Sequence, residues 1–209
     1  MAITLWGAGT ARTVRPIWMA EELGVEYILH PIGPRTGETL TAAFTELNPK
    51  QKIPVMVDGD LRLTESVAIC RYLRDRYPNA VNIATPSTLE DRAREDAWCC
   101  YVFGELDETS LYTMRRHRDL SAIYGEAPAA VASSAEYASK HLRVVAAHLA
   151  QSDYLLPIGF GLADLILMTC LDWAHAYGVG LPDPLSDWRD KIAARPAYQR
   201  ALKANRRPT

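Results

Sequence analysis

The chain has 209 residues, 48% of them hydrophobic and 23% charged, with a formal net charge of −2. That is an ordinary globular composition with room for one large or two small domains, and its near-neutral balance argues against a nucleic-acid or anionic-membrane partner. No stretch of about 18 uncharged apolar residues suggests a membrane span, the N-terminus MAITLWGAG lacks the basic and long apolar regions of a signal peptide, and the four cysteines (Cys70, Cys99, Cys100, Cys170) form no C-x-x-C. They fit reduced, mostly buried thiols in a cytoplasmic protein better than a disulfide framework.

Ile3 to Trp6 reads as a short apolar strand, followed by the turn Gly7-Ala8-Gly9. A helix follows with Val14, Ile17, Trp18 and Leu23 near one face. Thr13 is its expected N-cap, so that Pro16 falls in the first turn, and Gly24 closes it. Arg15 is expected to pack against glutamates of that same helix. Val25 to Ile32 is a second strand, and Ala42 to Leu47 a short helix stopped by Asn48-Pro49. Pro54 opens a strand over Val55 to Val57, Asp58-Gly59 signals a hairpin, and Asp60 to Leu63 returns. A helix then runs from Thr64-Glu65-Ser66 to Tyr77-Pro78. The order β-α-β-α-β-β-α fits a thioredoxin-like α/β domain over residues 1–78. PNAVNIATP, 78–86, reads as a linker, placed at 79–86. From 87 to 209 only helices are expected, beginning at a capping box Ser87-x-x-Glu90 and covering Thr88 to His117, Pro128 to Ala150, Leu162 to Tyr177, Asp187 to Arg195 and Tyr198 to Lys203. Leu162 to Trp173 is apolar nearly all round, as the buried centre of a helical domain would be.

The chemistry concentrates in Asn48 to Cys70. A proline just before a strand cannot donate to the ladder, and such positions often hold cis bonds. A cis bond would turn the Ile53 backbone outward to pair with an extended peptide. About ten residues on, a helix N-terminus offers N–H groups and a positive dipole to a carboxylate, and Glu65 can accept from an ammonium. Glu65 and Ser66 also read simply as caps of the following helix.

The run N-P-x-x-K-I-P-V at residues 48–55, followed by T-E-S-x-A-I at 64–69, resembles the glutathione site of the cytosolic glutathione transferases. The resemblance covers essentially the whole chain: Phe160-Gly161-Leu162-Ala163-Asp164 is similar to the family's F-S/T-x-A-D, with Gly161 replacing the hydroxyl residue. It implies a thioredoxin-like N-terminal domain, an all-helical C-terminal domain and glutathione as co-substrate without a metal. Gln51, Lys52, Ile53, Pro54, Glu65 and Ser66 would hold the peptide. Ser66 would take the γ-glutamyl carboxylate, Glu65 the ammonium and Lys52 the glycyl carboxylate, with Gln51 standing where the family usually has glycine. The family places a Tyr, Ser or Cys between first strand and first helix, and Thr10 falls closest to the serine of its serine-type classes. Thr10 also reads as a turn or capping threonine, and Ala11, Arg12 and Thr13 are the alternatives. Arg12 is the second catalytic candidate, with a solvated charge as its plainer reading. Asp164 is assigned to folding.

The resemblance further implies attack of a glutathione thiolate on a small electrophilic, apolar compound, and a homodimer. The acceptor site is expected between the domains, with Trp98, Tyr101, Tyr112 and Arg116 as candidate contacts, the last two one helical turn apart. A glutathione- or hydrophobic-ligand-binding protein without turnover, and a glutathione-dependent isomerase, dehalogenase or peroxidase, are the rival functions. No dithiol pair stands at Thr10-x-x-Thr13, which disfavours thiol–disulfide exchange.

Overall fold

The structure is a computed structural model describing residues 2–78 and 82–207. In chain order its elements are β1 (Ile3–Trp6), α1 (Ala11–Leu23), β2 (Tyr27–His30), a 3₁₀ turn (Glu38–Leu40), α2 (Ala42–Leu47), β3 (Val55–Asp58), β4 (Leu61–Thr64) and α3 (Ser66–Arg76). Helices alone follow: α4 (Leu89–Tyr101), a π-helix (Val102–Tyr112), α5 (Thr113–His117), α6 (Ser121–Tyr124), α7 (Pro128–Leu149), α8 (Leu162–Ala176), α9 (Asp183–Ala193) and α10 (Pro196–Ala204). The chain divides into two compact units. One gathers the described residues up to Thr85 with those from Ala193 onward, and the other runs from Pro86 to Ile192.

In the first unit the strands form one sheet in the order β2-β1-β3-β4. β1 runs parallel to β2 and antiparallel to β3, and β3–β4 is the hairpin expected at Asp58-Gly59. A mixed sheet with α1 and α3 packed together and α2 apart is the thioredoxin-like arrangement. The strand period of two sorts β1 between two layers. Ile3 and Leu5 are buried, whereas Trp6 stacks on His30 and meets the Phe44 ring of α2 edge-on.

Three local expectations are corrected. Thr10, not Thr13, caps α1: its side chain accepts from Thr13 N, while the Thr13 hydroxyl accepts from Thr10 N. Because α1 begins at Ala11, Pro16 lies inside the helix rather than in its first turn, where its missing N–H forgoes one backbone bond. Thr88, not Ser87, caps α4 through Asp91 N, since Asp91 is the acidic residue that reaches the third position. The linker expected at 79–86 is described from Asn82 on; residues 79–81 lie outside the described residues.

The last helix also departs from the sequence reading. α10 lies against α1, and residues 193–207 belong to the first unit. The amphipathic pattern of α10 does not name its partner; α1 supplies one. Tyr198 packs on Trp18 with ring centroids 4.3 Å apart. Arg195 and Arg200 hold Glu22 and Glu21 through Nε at 2.7 and 2.6 Å.

α8 forms the centre of the second unit, buried at eleven of its residues from Leu162 to Ala174. Asp164 anchors its start by accepting from Leu155 N and Gly161 N, both at 2.9 Å. Burial pushes this carboxyl up to about 7 against the opposing pull of those backbone N–H groups. Gly161 is the N-cap, as the sequence indicated.

Candidate functional site

Thr10, Ile53, Glu65 and Ser66 all sit on loops or element ends of the first unit, at the same end of the sheet. Gly7, at φ +117°, lets the β1–α1 loop close on Ile53; a Cβ there would stand 2.6 Å from that of Ile53. The Ile53–Pro54 peptide is cis. Asn48 braces the approach to it: its Nδ2 donates to Lys52 O at 2.7 Å, and its Oδ1 accepts from Lys50 N at 3.1 Å. Gln51 has φ +53°, which is the conformation that favours glycine, and donates through Nε2 to Thr45 Oγ1 at 3.0 Å. Lys52 is exposed.

Glu65 caps α3 with φ +70° and ψ 115°. A non-glycine residue in that region is strained by roughly 1–3 kcal/mol and persists only where its surroundings hold it. Its carboxylate accepts from Lys50 Nζ at 2.6 Å, and that ammonium also donates to Thr64 Oγ1 at 2.7 Å. Both side chains are open to solvent, 49% for Lys50 and 65% for Glu65, so the pair is screened and weak. Ser66, the first residue of α3, is buried, and its Oγ accepts from Arg15 Nη1 at 3.2 Å.

Arg15 was missed by the sequence reading, which kept it on its own helix. It is fully buried in the α1–α3 contact, with its guanidinium behind the start of α3. Glu21 and Glu22 are held instead by Arg200 and Arg195 of α10. Lys50 was missed as well. Its only signal is its place two residues before Lys52 on a loop that the structure folds back toward Thr64. Together, the α3 N-terminus, the Ser66 hydroxyl and Arg15 make an electropositive end that suits a carboxylate. Glu65 beside it suits an ammonium. Cys70, deeper on α3, is no competing nucleophile: burial pushes its thiol up to about 12, outweighing the opposite effect of Arg15 and Arg74.

Thr10 is half-buried, and its hydroxyl sits inside the cap of α1. Its Oγ1 accepts from Thr13 N at 3.1 Å and lies 3.1 Å from Thr13 Oγ1. The Thr13 hydroxyl donates to Asn205 Oδ1 at 2.6 Å. The Thr10 hydroxyl therefore keeps its own proton, which points either to Thr13 Oγ1 or to an anion placed before the helix. Arg12, one position into α1, is half-buried.

The four acceptor candidates lie in the second unit. Trp98 and Tyr101 on α4 meet edge-to-face and pack against α7: Trp98 beside His148, and Tyr101 with its hydroxyl 2.8 Å from His141 Nδ1. Tyr112 ends the π-helix, a rare form that recurs at functional sites, and Arg116 on α5 lies over the Tyr124 ring at 4.6 Å. Among the described residues no group of three or more His, Cys, Asp or Glu is arranged to hold a metal, and no helix is long and apolar enough to cross a membrane. All four cysteines are free thiols, three of them buried and Cys100 exposed.

A mixed four-stranded sheet, an X-Pro turn facing a helix N-terminus, and a following helical unit define a thiol-peptide-binding class of protein. Comparison with known proteins agrees. Residues 1–75 match the glutathione S-transferase N-terminal domain, and residues 128–204 match its C-terminal domain. Glutathione S-transferase 3 of Zea mays is 31% identical over 91% of this chain and 88% of its own. A theta class glutathione S-transferase from Xanthomonas axonopodis pv. citri, solved with glutathione bound, is 29% identical with a TM-score of 0.80, covering 96% of this chain and 97% of that one. β-etherase LigF of a Sphingobium strain superposes with a TM-score of 0.88 over 98% of this chain and all of its own, at 20% identity, a likeness of fold alone. The chain belongs to the glutathione S-transferase family.

Proposed function

We propose that this protein binds glutathione in its first unit and transfers the thiolate to a small, apolar electrophile. The carrying observation is the buried Arg15–Ser66 contact at the α3 N-terminus beside the strained Glu65. A γ-glutamyl head group carries one carboxylate and one ammonium, and these two features answer them separately. The extended backbone of the peptide would pair with Ile53 after the Lys52–Pro54 turn, with Lys52 taking the glycyl carboxylate and Gln51 an added hydrogen bond.

In the reaction, Thr10 donates its hydroxyl proton in a hydrogen bond to the thiolate, with Arg12 adding positive charge nearby. Both favour the ionised thiol over its ordinary value of about 8.5. The sulfur forms a bond to the electrophilic carbon, and the leaving group departs with its bonding pair. Trp98, Tyr101, Tyr112 and Arg116 are the proposed contacts for the electrophile. A cytoplasmic, detoxifying homodimer is the assembly and setting that the family suggests; light scattering on the purified protein tests the dimer.

The test has two parts. Glutathione is titrated calorimetrically into the wild type, Glu65→Ala and Ser66→Ala, each expected to weaken binding by about tenfold or more. Unchanged affinity in both overturns the head-group assignment. Conjugation rates are then compared across an electrophile panel in the wild type and Thr10→Val, where a rate within about twofold of wild type removes the hydroxyl as activator. A second reading, glutathione binding without turnover, draws on the place of Thr10 within the helix cap. It predicts tight titration and no conjugation with any member of the panel.

A further inference from the structure

The loop that carries Thr10 is tied down from the far end of the chain. Asn205, just past α10, makes four contacts with it. Gly9 N donates to Asn205 O at 2.8 Å and to Asn205 Oδ1 at 3.2 Å. Thr13 Oγ1 donates to Asn205 Oδ1 at 2.6 Å, and Asn205 Nδ2 donates to Thr10 O at 3.2 Å. The amide orientation is consistent throughout: its oxygen meets two donors and its nitrogen a carbonyl. The Thr10 carbonyl is also the acceptor for Val14 N, so Asn205 touches both the start of α1 and the residue that caps it.

Two residues on, Arg207 anchors the same tail elsewhere. Its Nη2 donates to Glu38 Oε2 at 3.2 Å, and its guanidinium covers Gly33, where a Cβ would stand 2.5 Å from Cζ. Arg207 thus secures the tail without touching the hydroxyl pair.

We propose that Asn205 is a positioning residue for thiol activation, fixing the Thr10 hydroxyl through the loop backbone and the Thr13 hydroxyl. The inference rests on the reading of Thr10 as thiolate donor. Without the Asn205 amide, the Thr13 hydroxyl turns to Thr10 O, 2.9 Å away, and Gly9 N loses its side-chain partner. The Thr10 hydroxyl then shifts relative to a sulfur that is held independently, through Glu65 and Ser66. A displacement of an ångström or less at a reacting group costs up to about a hundredfold in rate.

The experiment measures thiolate absorbance of enzyme-bound glutathione against pH, and glutathione affinity by calorimetry, in wild type, Asn205→Ala, Asn205→Ser, Thr10→Val and the Thr10→Val/Asn205→Ala double variant, with Arg207→Ala as a control on the tail. The expected result is a raised thiol pKa in both Asn205 variants, glutathione affinity within about twofold of wild type, and a wild-type thiol pKa in Arg207→Ala. In the Thr10→Val background, Asn205→Ala should change nothing further, because its effect runs through that hydroxyl. An unchanged thiol pKa in both Asn205 variants, or an additive effect in the double variant, overturns the proposal. If Thr10→Val leaves the thiol pKa unchanged, it is the Thr10 reading that fails. If Thr10→Val raises it and the Asn205 variants do not, only the role of Asn205 fails.

Discussion

Replacing Glu65 by glycine separates what this residue does for the ligand from what it does to the fold. Glu65 sits at φ +70° and ψ 115°, a region that glycine enters freely. Relief of the strain is worth roughly 1–3 kcal/mol. Against it stand about 0.5–1 kcal/mol for the greater backbone freedom of glycine in the unfolded chain and at most about 1 kcal/mol for the exposed pair with Lys50. The balance favours the variant by about 1 kcal/mol, a rise of about 2–4 °C in Tm for a protein of this size. Binding moves the other way. A charge-assisted hydrogen bond to an ammonium is worth about 1.5–3 kcal/mol, so glutathione affinity is expected to fall about ten- to hundredfold. Thermal melts of the ligand-free protein and calorimetric titration of glutathione read the two effects. A variant that melts lower and still binds normally refutes the reasoning at both ends: the backbone is then not strained, and the carboxylate does not hold the ligand.

Lys50→Ala removes the ammonium that occupies Glu65 at 2.6 Å. Glutathione affinity should stay level or rise by up to about fivefold, the worth of an exposed ion pair; a tenfold loss in titration would make Lys50 a ligand contact. Asp164→Asn leaves one of the two buried N–H donors, Leu155 or Gly161, facing an amide nitrogen. Denaturant unfolding should show a loss of about 1–3 kcal/mol. The same carboxyl sets a pH slope. Its folded pKa of about 7 lies above the ordinary carboxylate value. The native state therefore holds the proton that the unfolded state has released, and this contribution to stability declines as pH rises from about 4 to 7 and is constant above. Asp164→Asn should remove that part of the slope. Tyr198→Ala empties the site of a buried ring against Trp18 and is expected to cost about 3–5 kcal/mol in the same unfolding assay.

Much of the first unit was legible in the chain itself. Short-range rules decide it: the Asp58-Gly59 hairpin, Gly24 at the end of α1, the proline before β3 and the Thr-Glu-Ser start of α3 each act within a few residues. The glutathione motif is legible for the same reason, since peptide clamp and head-group clamp lie within about twenty residues of each other. The register of the β1–α1 loop was not. Thr10 and Thr13 stand three apart and both suit a cap; the choice falls to Thr10 because the Thr13 hydroxyl is taken by Asn205, 192 residues away.

The sequence by itself thus determined the order of elements, the family and the residues offered to the peptide's charged ends. Only the tertiary structure decided what stands behind them. It carried the buried Arg15 to Ser66, 51 positions on, laid α10 on α1 rather than among the other helices, and brought Asn205 to the Thr10 loop. Such contacts depend on which amphipathic faces meet. A helix's periodicity reports that it has an apolar face, and only packing assigns the partner that covers it. What the peptide's charges meet was therefore written locally, and the placement of the hydroxyl before its sulfur depends on the two ends of the chain closing on each other.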